Sequence, residues 1–572
     1  MKSDRQWQLL SQEIPQDLSE LQEILLKLRK IEDKAEFFSP AHPMELKTKQ
    51  FGFSSQVIKK AMDKLFLARE RKTPIVIFGD YDADGICAAS ILWRVMHELG
   101  FAVTPFIPSR LKHGYGLNVT SAQAVLTEHG PQLIITVDNG IVAFEAVEWL
   151  KEQRVEVIIT DHHQPEWDKQ GKERLPNAVA VLQTDQVCGA GVAWLVSKML
   201  VDKIGSEFGE KTQREQLLTN QLDLCALATI ADQVPLTGFN RSFIFHGLQV
   251  LRQTLRPGLL ALAAVAGHKV DKVDEGKLGY QLAPRLNALG RLAEGIVGVR
   301  LLCTNSRTKA ESIAGELNNL NLSRQDLTES ALTQAEVQVT EQLSESLLIV
   351  YAPNFHEGVI GLVAGRLTEK YHKPAIAIGG EGETLKASAR SVVGVNITEL
   401  IRQVKADLLN VGGHPLAAGF SVHKDNLYIV INKLQELAKT QIDPILLQPK
   451  IIAECKLPPS LINIQTAQTL LKFAPFGQGN HQPVFMIEDL ELISTQVIGA
   501  EGKHLKLALK LSSGQQPQLL TALYWHHAHL QDQLEIGAKF SFIAKLEINT
   551  WRDRQSLQLG VIAVASSPVQ LT

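Results

Sequence analysis

The sequence predicts an α/β protein of several domains: a parallel sheet covered by helices, a long helical connector, a second and smaller α/β segment, and a C-terminal β-barrel. Three observations predict it. Short apolar runs alternate with helical stretches between residues 75 and 160, the pattern of strand–helix–strand units. A proline-free, helix-forming stretch, KAESIAGELNNLNLSRQDLTESALTQAEVQVTEQL, covers 309–343. Beyond residue 450, alternating runs such as HLKLALKLSS, KFSFIAKLEIN and SLQLGVIAVAS recur at short intervals. With 572 residues the chain is also too long for one hydrophobic core.

Taken in order, residues 1–50 read as a polar, helical N-terminal segment. Residues 54–72, SSQVIKKAMDKLFLARERK, predict an amphipathic helix with Val57, Ala61, Leu65 and Leu67 on its apolar side. Strand 75–78 leads to helix 86–99, strand 102–107 to helix 120–129, strand 133–137 to helix 141–153, and strand 155–160 to a proline-bearing loop. Such alternation implies a parallel sheet with helices on both faces. A mostly helical region follows from about 189. The expected division is an α/β domain over 51–305, a connector helix over 306–345, the second α/β domain over 346–445, and a barrel over 446–572 that resembles an OB-fold.

Composition narrows the class. Hydrophobic residues make up 45% and charged residues 21%, as in soluble globular proteins. The first residues, MKSDRQWQLLSQEIPQ, lack the apolar core of a signal peptide, and the longest apolar run, Leu259 to Gly267, is too short to span a bilayer. Cys87, Cys188, Cys225, Cys303 and Cys455 are scattered without a CxxC pair, which fits a reducing cytoplasm and argues against a disulfide framework or a zinc–thiolate site. With a net charge of −3, any contact with a polyanion must be made by local basic residues.

The chemistry lies at the strand ends. Ile75 to Phe78 run straight into Asp80, Asp82 and Asp84; Leu133 to Val137 run into Asp138; Val155 to Thr160 run into Asp161, His162 and His163. In an open parallel sheet these ends share one edge, where ligands bind. The apolar stretch from Leu222 is interrupted late by Asp232, a further candidate for that edge. Each feature alone is ordinary: an Asp after a strand is usually a turn residue or an N-cap, and adjacent histidines are often polar loop residues. Converging, they crowd like charges that a cation must separate. Asp82, Asp84, Asp138 and Asp232 carry four negative charges, which two divalent cations would balance; carboxylates with imidazole suit Mn²⁺ or Mg²⁺. A pair of such ions can activate water and steady a leaving oxygen at phosphorus.

DYDADG, VDNG and TDHH, in this order, resemble the DHH phosphoesterase superfamily. SRLKHGYGLN (109–118), GAGVAW (189–194), ATIADQVPLTGFNR (228–241), LAPRLNALGRL (282–292), HEGVIGLVAGRL (356–367), SARS (388–391), GGHPLAAG (412–419) and PFGQGN (475–480) resemble its RecJ branch, over nearly the whole chain from about residue 50. The resemblance implies a single-strand-specific 5′→3′ DNA exonuclease that releases 5′-mononucleotides in repair and recombination. It implies metal ligation by Asp82, Asp84, Asp138, His162 and Asp232, with Asp161 as ligand or imidazole-orienting group, His163 facing the scissile phosphate, and Asp80 in the outer shell or at the substrate. In the second α/β segment, which resembles the DHHA1 domain, Gly412, Gly413 and His414 form a glycine-rich turn that admits a phosphate; Ser388, Arg390 and Ser391, with Arg110, would capture the terminal 5′-phosphate. Tyr115, Arg285, Arg291 and His356 are the remaining substrate-binding candidates, and Lys503, His504, Tyr524, Trp525, Trp551 and Arg552 those of the barrel. His481, where the family commonly has proline, and the hairpin NTWRDRQSLQ depart from the pattern.

The expected partners are single-stranded DNA and, by the resemblance, a single-strand-binding protein and a helicase, with a monomeric chain and no membrane. Two other functions compete. A phosphodiesterase for short oligonucleotides or cyclic dinucleotides needs no strand-guiding barrel, and a non-catalytic scaffold would have lost ligands that here all stand in place.

Overall fold

The structure is a computed structural model that describes residues 6–168, 170–511, 518–552 and 554–567. It divides into two compact units. One comprises Ala35–Arg324 together with the short segment Pro475–His481; the other gathers the described residues up to Lys34, Gln325–Ala474, and those from Gln482 onward.

The first unit is built on a five-stranded, all-parallel sheet in the spatial order Val103–Phe106, Ile75–Gly79, Leu133–Val137, Glu156–Asp161, Ala180–Gln183. Alternate side chains of the central strands enter two separate cores. Ile75, Ile77, Leu133, Ile135 and Ile158 join the helices Ala83–Glu98 and Gly189–Ile204 on one face. Val76, Phe78, Ile134, Val157 and Ile159 pack with Val119–His129 and Phe144–Glu152 on the other. Burial on both faces explains why these strands read as unbroken apolar runs. The chain leaves Ile75–Gly79 for one side of the sheet and later returns to its other side as Leu133–Val137. That reversal of winding opens a crevice between the two strand ends.

Several elements differ from expectation. Ala180–Gln183, the edge strand at one end, has only four residues, Ala-Val-Leu-Gln, too short a run for sequence patterning to mark. Helix Ser55–Glu70, capped by the Ser54 hydroxyl, buries Ala61, Met62, Leu65 and Ala68, whereas Leu67, expected on the apolar side, is exposed. Leu67 lies two residues, about 200°, from Leu65 around the helix and cannot share its face.

The second unit contains a mixed five-stranded sheet, ordered Asn410–His414, Ala417–His423, Thr384–Arg390, Ala375–Gly379, Leu348–Ala352. Helix Leu427–Gln441 packs in one core of this sheet and Ile360–Tyr371 in another. The barrel closes through Phe485–Ile498, which pairs with both His504–Leu511 and Lys539–Trp551; Gln518–Tyr524 and Arg554–Ser566 complete the ring. The connector is a single helix, Arg307–Val339.

The N-terminal segment is not wholly helical. Gln6–Leu9 is a strand paired in parallel with Lys450–Ala453, and Trp7 is 1% exposed in a core with Met486, Ile543 and Ala563. A second tie joins the same regions: Arg29 donates to Glu454 at 3.2 Å, both side chains being buried. A four-residue strand whose partner lies more than 400 residues away carries no local signal. Among the described residues no helix is long and apolar enough to cross a membrane. Replacing Trp7→Ala should cost about 3–5 kcal/mol, as for other large-to-small changes in a core, and the loss will appear as a lower midpoint in denaturant unfolding of the full chain.

Candidate metal centre

Three strand ends and one helix end deliver eight titratable side chains to the crevice. Asp82 caps helix Ala83–Glu98, its Oδ1 accepting from the Gly85 amide at 3.0 Å. One residue into that helix, Asp84 accepts at both oxygens, from the Gly189 amide (2.7 Å) and the Ala190 amide (2.7 Å). These amides open helix Gly189–Ile204, whose positive end thus holds a buried carboxylate in one orientation. Asp138 follows Leu133–Val137 with a left-handed φ of 63°. Residue 189 must be glycine here: a Cβ would stand 2.5 Å from Oδ1 of Asp138. Asn139 donates to the carbonyls of Val137 (2.9 Å) and Phe78 (3.3 Å), stitching the two central strand ends together. Asp232 arrives as the C-cap of helix Leu222–Ala231.

The imidazole of His162 sits among these acids. Its Nε2 lies 3.1 Å from Asp138 Oδ1, 3.6 Å from Asp232 Oδ2 and 3.8 Å from Asp84 Oδ2. Yet His162 Nε2 and Asp138 Oδ1 are buried atoms without any hydrogen-bond partner. Buried polar atoms are rarely left so. Three overlapping sets, Asp138–His162–His163, Asp84–His162–Asp232 and Asp80–Asp82–Asp138, each bring their ligand atoms within 4.8 Å of one another. The donor set, carboxylate oxygens with imidazole and no thiolate, fits a hard divalent cation.

Asp161 is occupied differently. Its Oδ1 accepts from the amides of His162 (2.7 Å) and His163 (3.1 Å) and pairs with His163 Nδ1 (2.8 Å), while Oδ2 accepts from the Ile141 amide (2.9 Å). That saturation makes it an orienting group, for the His163 imidazole directly and for the backbone that carries His162. Burial disfavours charge on His163, but the hydrogen bond and charge of Asp161 outweigh it and push the imidazole up to about 9. Burial also pushes at Asp161, and the same bond holds its carboxyl below the usual range. Elsewhere burial dominates. With Asp82 beside it, Asp80 is pushed up to about 8, and with Asp84 beside it, Asp232 is pushed up to about 8. Burial, then Asp84, lifts Asp82 and Asp138 as well. The protein alone does not stabilise its own array of charges.

A cavity of about 140 Å³ opens on Asp82, Asp84 and Asp232 and is walled by Tyr81, Arg110 and Arg291. The Arg110 guanidinium lies 5.7 Å from the Tyr81 ring centroid, and Tyr115 meets Tyr81 edge-on at 6.1 Å. Arg291 therefore borders the acids, whereas Arg285 donates to Asn318 Oδ1 (2.9 Å) and the Gln281 carbonyl (2.6 Å), tying its helix to the start of the connector. Asn287, in the same motif, is an uncharged residue between the two arginines with no sequence signal of its own. Its Oδ1 accepts from the Ala83 amide at 2.8 Å and fixes the turn between Asp82 and Asp84.

The other candidates belong to the second unit. Arg390 donates to Ser388 Oγ at 3.3 Å; Ser391 Oγ bonds the Val395 carbonyl at 2.8 Å; His356 Nδ1 accepts from the Gly358 amide at 3.0 Å. Gly412, Gly413 and His414 lie on the edge strand Asn410–His414 rather than in the turn, which is made by the residues that follow. In the barrel, Trp525 is 49% exposed and meets His504 edge-on at 4.8 Å, Lys503 pairs with Glu501, and Arg552 is exposed. Tyr524 is buried and stacked on His527, so its ring offers no free face; the Trp551 side chain lies outside the described residues.

A three-layered parallel α/β unit presenting buried acids and imidazoles at its switch point defines a metal-dependent phosphoesterase centre. Residues 74–229 match the DHH family, N-terminal domain; residues 344–440 match the DHHA1 domain; residues 453–563 match the RecJ OB domain. The chain is 33% identical to the single-stranded-DNA-specific exonuclease RecJ of Haemophilus influenzae over 88% of its own length and 90% of that protein's. To the RecJ of Escherichia coli it is 32% identical, over 88% and 89% of the two chains. The Bacillus subtilis RecJ is longer: at 33% identity, 91% of this chain matches 64% of it. The crystal structure of Thermus thermophilus RecJ in complex with Mn²⁺ superposes with a TM-score of 0.81 and 27% identity, covering 100% of this chain and 81% of that one. The chain belongs to the RecJ family of single-stranded-DNA-specific exonucleases.

The shifted acids predict a pH signature. Asp80 and Asp232 titrate near 8 when folded and near 3.8 when unfolded, and His163 near 9 against 6.5, so over these intervals the folded state holds more protons and stability falls as pH rises. Metal-free protein should melt at progressively lower temperature from about pH 5 to about pH 8, and saturating Mn²⁺ should raise the midpoint more at the higher pH, as calorimetry will show.

Proposed function

We propose that this chain degrades single-stranded DNA from its 5′ end, hydrolysing phosphodiester bonds to release 5′-mononucleotides, with two divalent cations, Mn²⁺ or Mg²⁺, held by Asp82, Asp84, Asp138, His162 and Asp232. The observation that carries the reading is the unpartnered pair His162 Nε2 and Asp138 Oδ1, buried 3.1 Å apart among further carboxylates. Bound cations would neutralise the scissile phosphate and make water acidic enough to serve as nucleophile near neutral pH.

The residues of the chain divide the remaining work. His163, with Nδ1 engaged by Asp161, keeps a proton on Nε2 for a phosphate oxygen and so offsets charge developing there. Asp84, held by two helix amides, is a fixed acceptor that needs no reorganisation. Arg110 and Arg291 bring positive charge to the cavity of acids and meet the backbone of the substrate. Tyr115, 57% exposed, offers a ring to a base near the cut. Arg390 with Ser388 supplies a paired guanidinium and hydroxyl suited to a terminal phosphate, and the barrel with its exposed Trp525 supplies a stacking surface that a small cyclic substrate would not need.

Two experiments test this. On end-labelled single-stranded DNA in Mn²⁺, the products should be mononucleotides from the 5′ end, with Asp138→Ala lowering turnover at least ~10³-fold while strand binding changes by less than about threefold; unchanged turnover in that variant would remove the site from the reaction. Arg390→Ala should erase the rate difference between 5′-phosphorylated and 5′-hydroxyl strands, leaving the slower rate for both.

A further inference from the structure

The PFGQGN motif lies among residues that belong to the second unit, yet Pro475–His481 itself belongs to the first. What it touches there is the turn that carries Asp232. After Asp232 the chain takes a left-handed step at Gln233 (φ 56°) and continues through Val234 and Pro235 to Leu236 before the next helix. The Leu236 amide donates to the Gln478 carbonyl at 2.7 Å. Gly477 is pressed against the buried Leu236 side chain: a Cβ at 477 would stand 2.7 Å from Leu236 Cδ1 and 3.9 Å from Ile230 Cδ1, two residues before Asp232.

The segment is itself rigid. Gly477 and Asn480 exchange backbone hydrogen bonds at 3.0 and 3.2 Å, and the Asn480 side chain, 1% exposed, donates to the Pro475 carbonyl at 2.9 Å. It is anchored on both sides. The Phe476 amide donates to Glu275 Oε1 at 2.7 Å, and the buried Arg241 donates to the Pro475 carbonyl at 3.4 Å. Glu275 opens the helical stretch that reaches Gly279, where a Cβ would lie 3.1 Å from Ile230. The last turn before Asp232 is thus gripped by two elements, and one of them comes from more than 200 residues away.

We infer that Pro475–His481 positions Asp232 for the metal: Gly477 and Glu275 are positioning residues that act through the Ile230–Leu236 turn. The inference rests on the reading of Asp232 as a metal ligand. A carboxylate must be placed to within a few tenths of an ångström to ligate, and supports behind ligands typically alter metal affinity 10–100-fold. Nothing in the claim requires the segment to touch substrate.

The test uses the full chain and Mn²⁺ alone, titrated with free Mn²⁺ followed by electron paramagnetic resonance, alongside the Mn²⁺ dependence of hydrolysis and KM for single-stranded DNA. Gly477→Ala and Glu275→Ala should each weaken Mn²⁺ binding about 10-fold and raise the half-activating Mn²⁺ concentration by the same factor, with KM unchanged. Glu275→Gln, which keeps an acceptor for the Phe476 amide, should behave as the parent. Mn²⁺ affinity within about twofold of the parent in both alanine variants, or a lower melting temperature with unaltered affinity, overturns the inference. Should Gly477→Ala fail to fold, the two Glu275 variants decide. Asp232→Ala separates the two ideas: if it binds Mn²⁺ as the parent does, the ligand reading is wrong and the clamp falls with it, whereas if it loses Mn²⁺ while Glu275→Ala does not, only the clamp falls.

Discussion

Everything in the first unit answers to one electrostatic constraint: buried carboxylates and an imidazole are held where none can neutralise the others. His162 Nε2 has three carboxylate oxygens within 4 Å and a hydrogen bond to none, and burial drives Asp80, Asp82, Asp138 and Asp232 toward their protonated forms. A protein that wanted stability from these positions would place apolar side chains there. The energetic loss is tolerable because a divalent cation converts mutual repulsion into ligation, and that conversion couples the local fold to metal binding.

The scaffold shows how such an array is kept from relaxing. Asp84 is captured by the first amides of helix Gly189–Ile204, and the backbone approach that permits this requires glycine at 189. Asp161, sharing the crowd's location, escapes its electrostatics because it accepts from three amides and pairs with an imidazole. Neighbouring acids on one sheet edge thus take opposite states, one group poised to ligate and the other to orient, by the number of donors each is given. The metal dependence implied by this arrangement agrees with the similarity to RecJ structures that contain Mn²⁺ or Mg²⁺.

Chain connectivity contributes as much as local chemistry. The N-terminal strand is completed by Lys450–Ala453, and the turn after Asp232 is braced by a segment that interrupts the run leading into the barrel. Each compact unit is therefore made from pieces distant in sequence. Truncation that removes Trp7 at one end, or Ala563 and Ala565 at the other, would take away part of a core.

The parallel sheet, the connector and the barrel are legible in the chain, because apolar periods of two and of 3.6 residues are local properties that burial enforces on every turn and strand. The sequence also marks Asp80 to Asp84, Asp138 and Asp161 to His163 as neighbours, since strand ends of one parallel sheet must share an edge. Folding is what selects which of two similar arginines, 285 and 291, borders the acids, and what brings Asn287 and Gly189 to the site, Trp7 into a core and PFGQGN against a turn remote from its sequence neighbours. The reason is physical: a hydrogen bond or a close backbone approach between segments hundreds of residues apart depends on the closed fold, and no period in the chain encodes it.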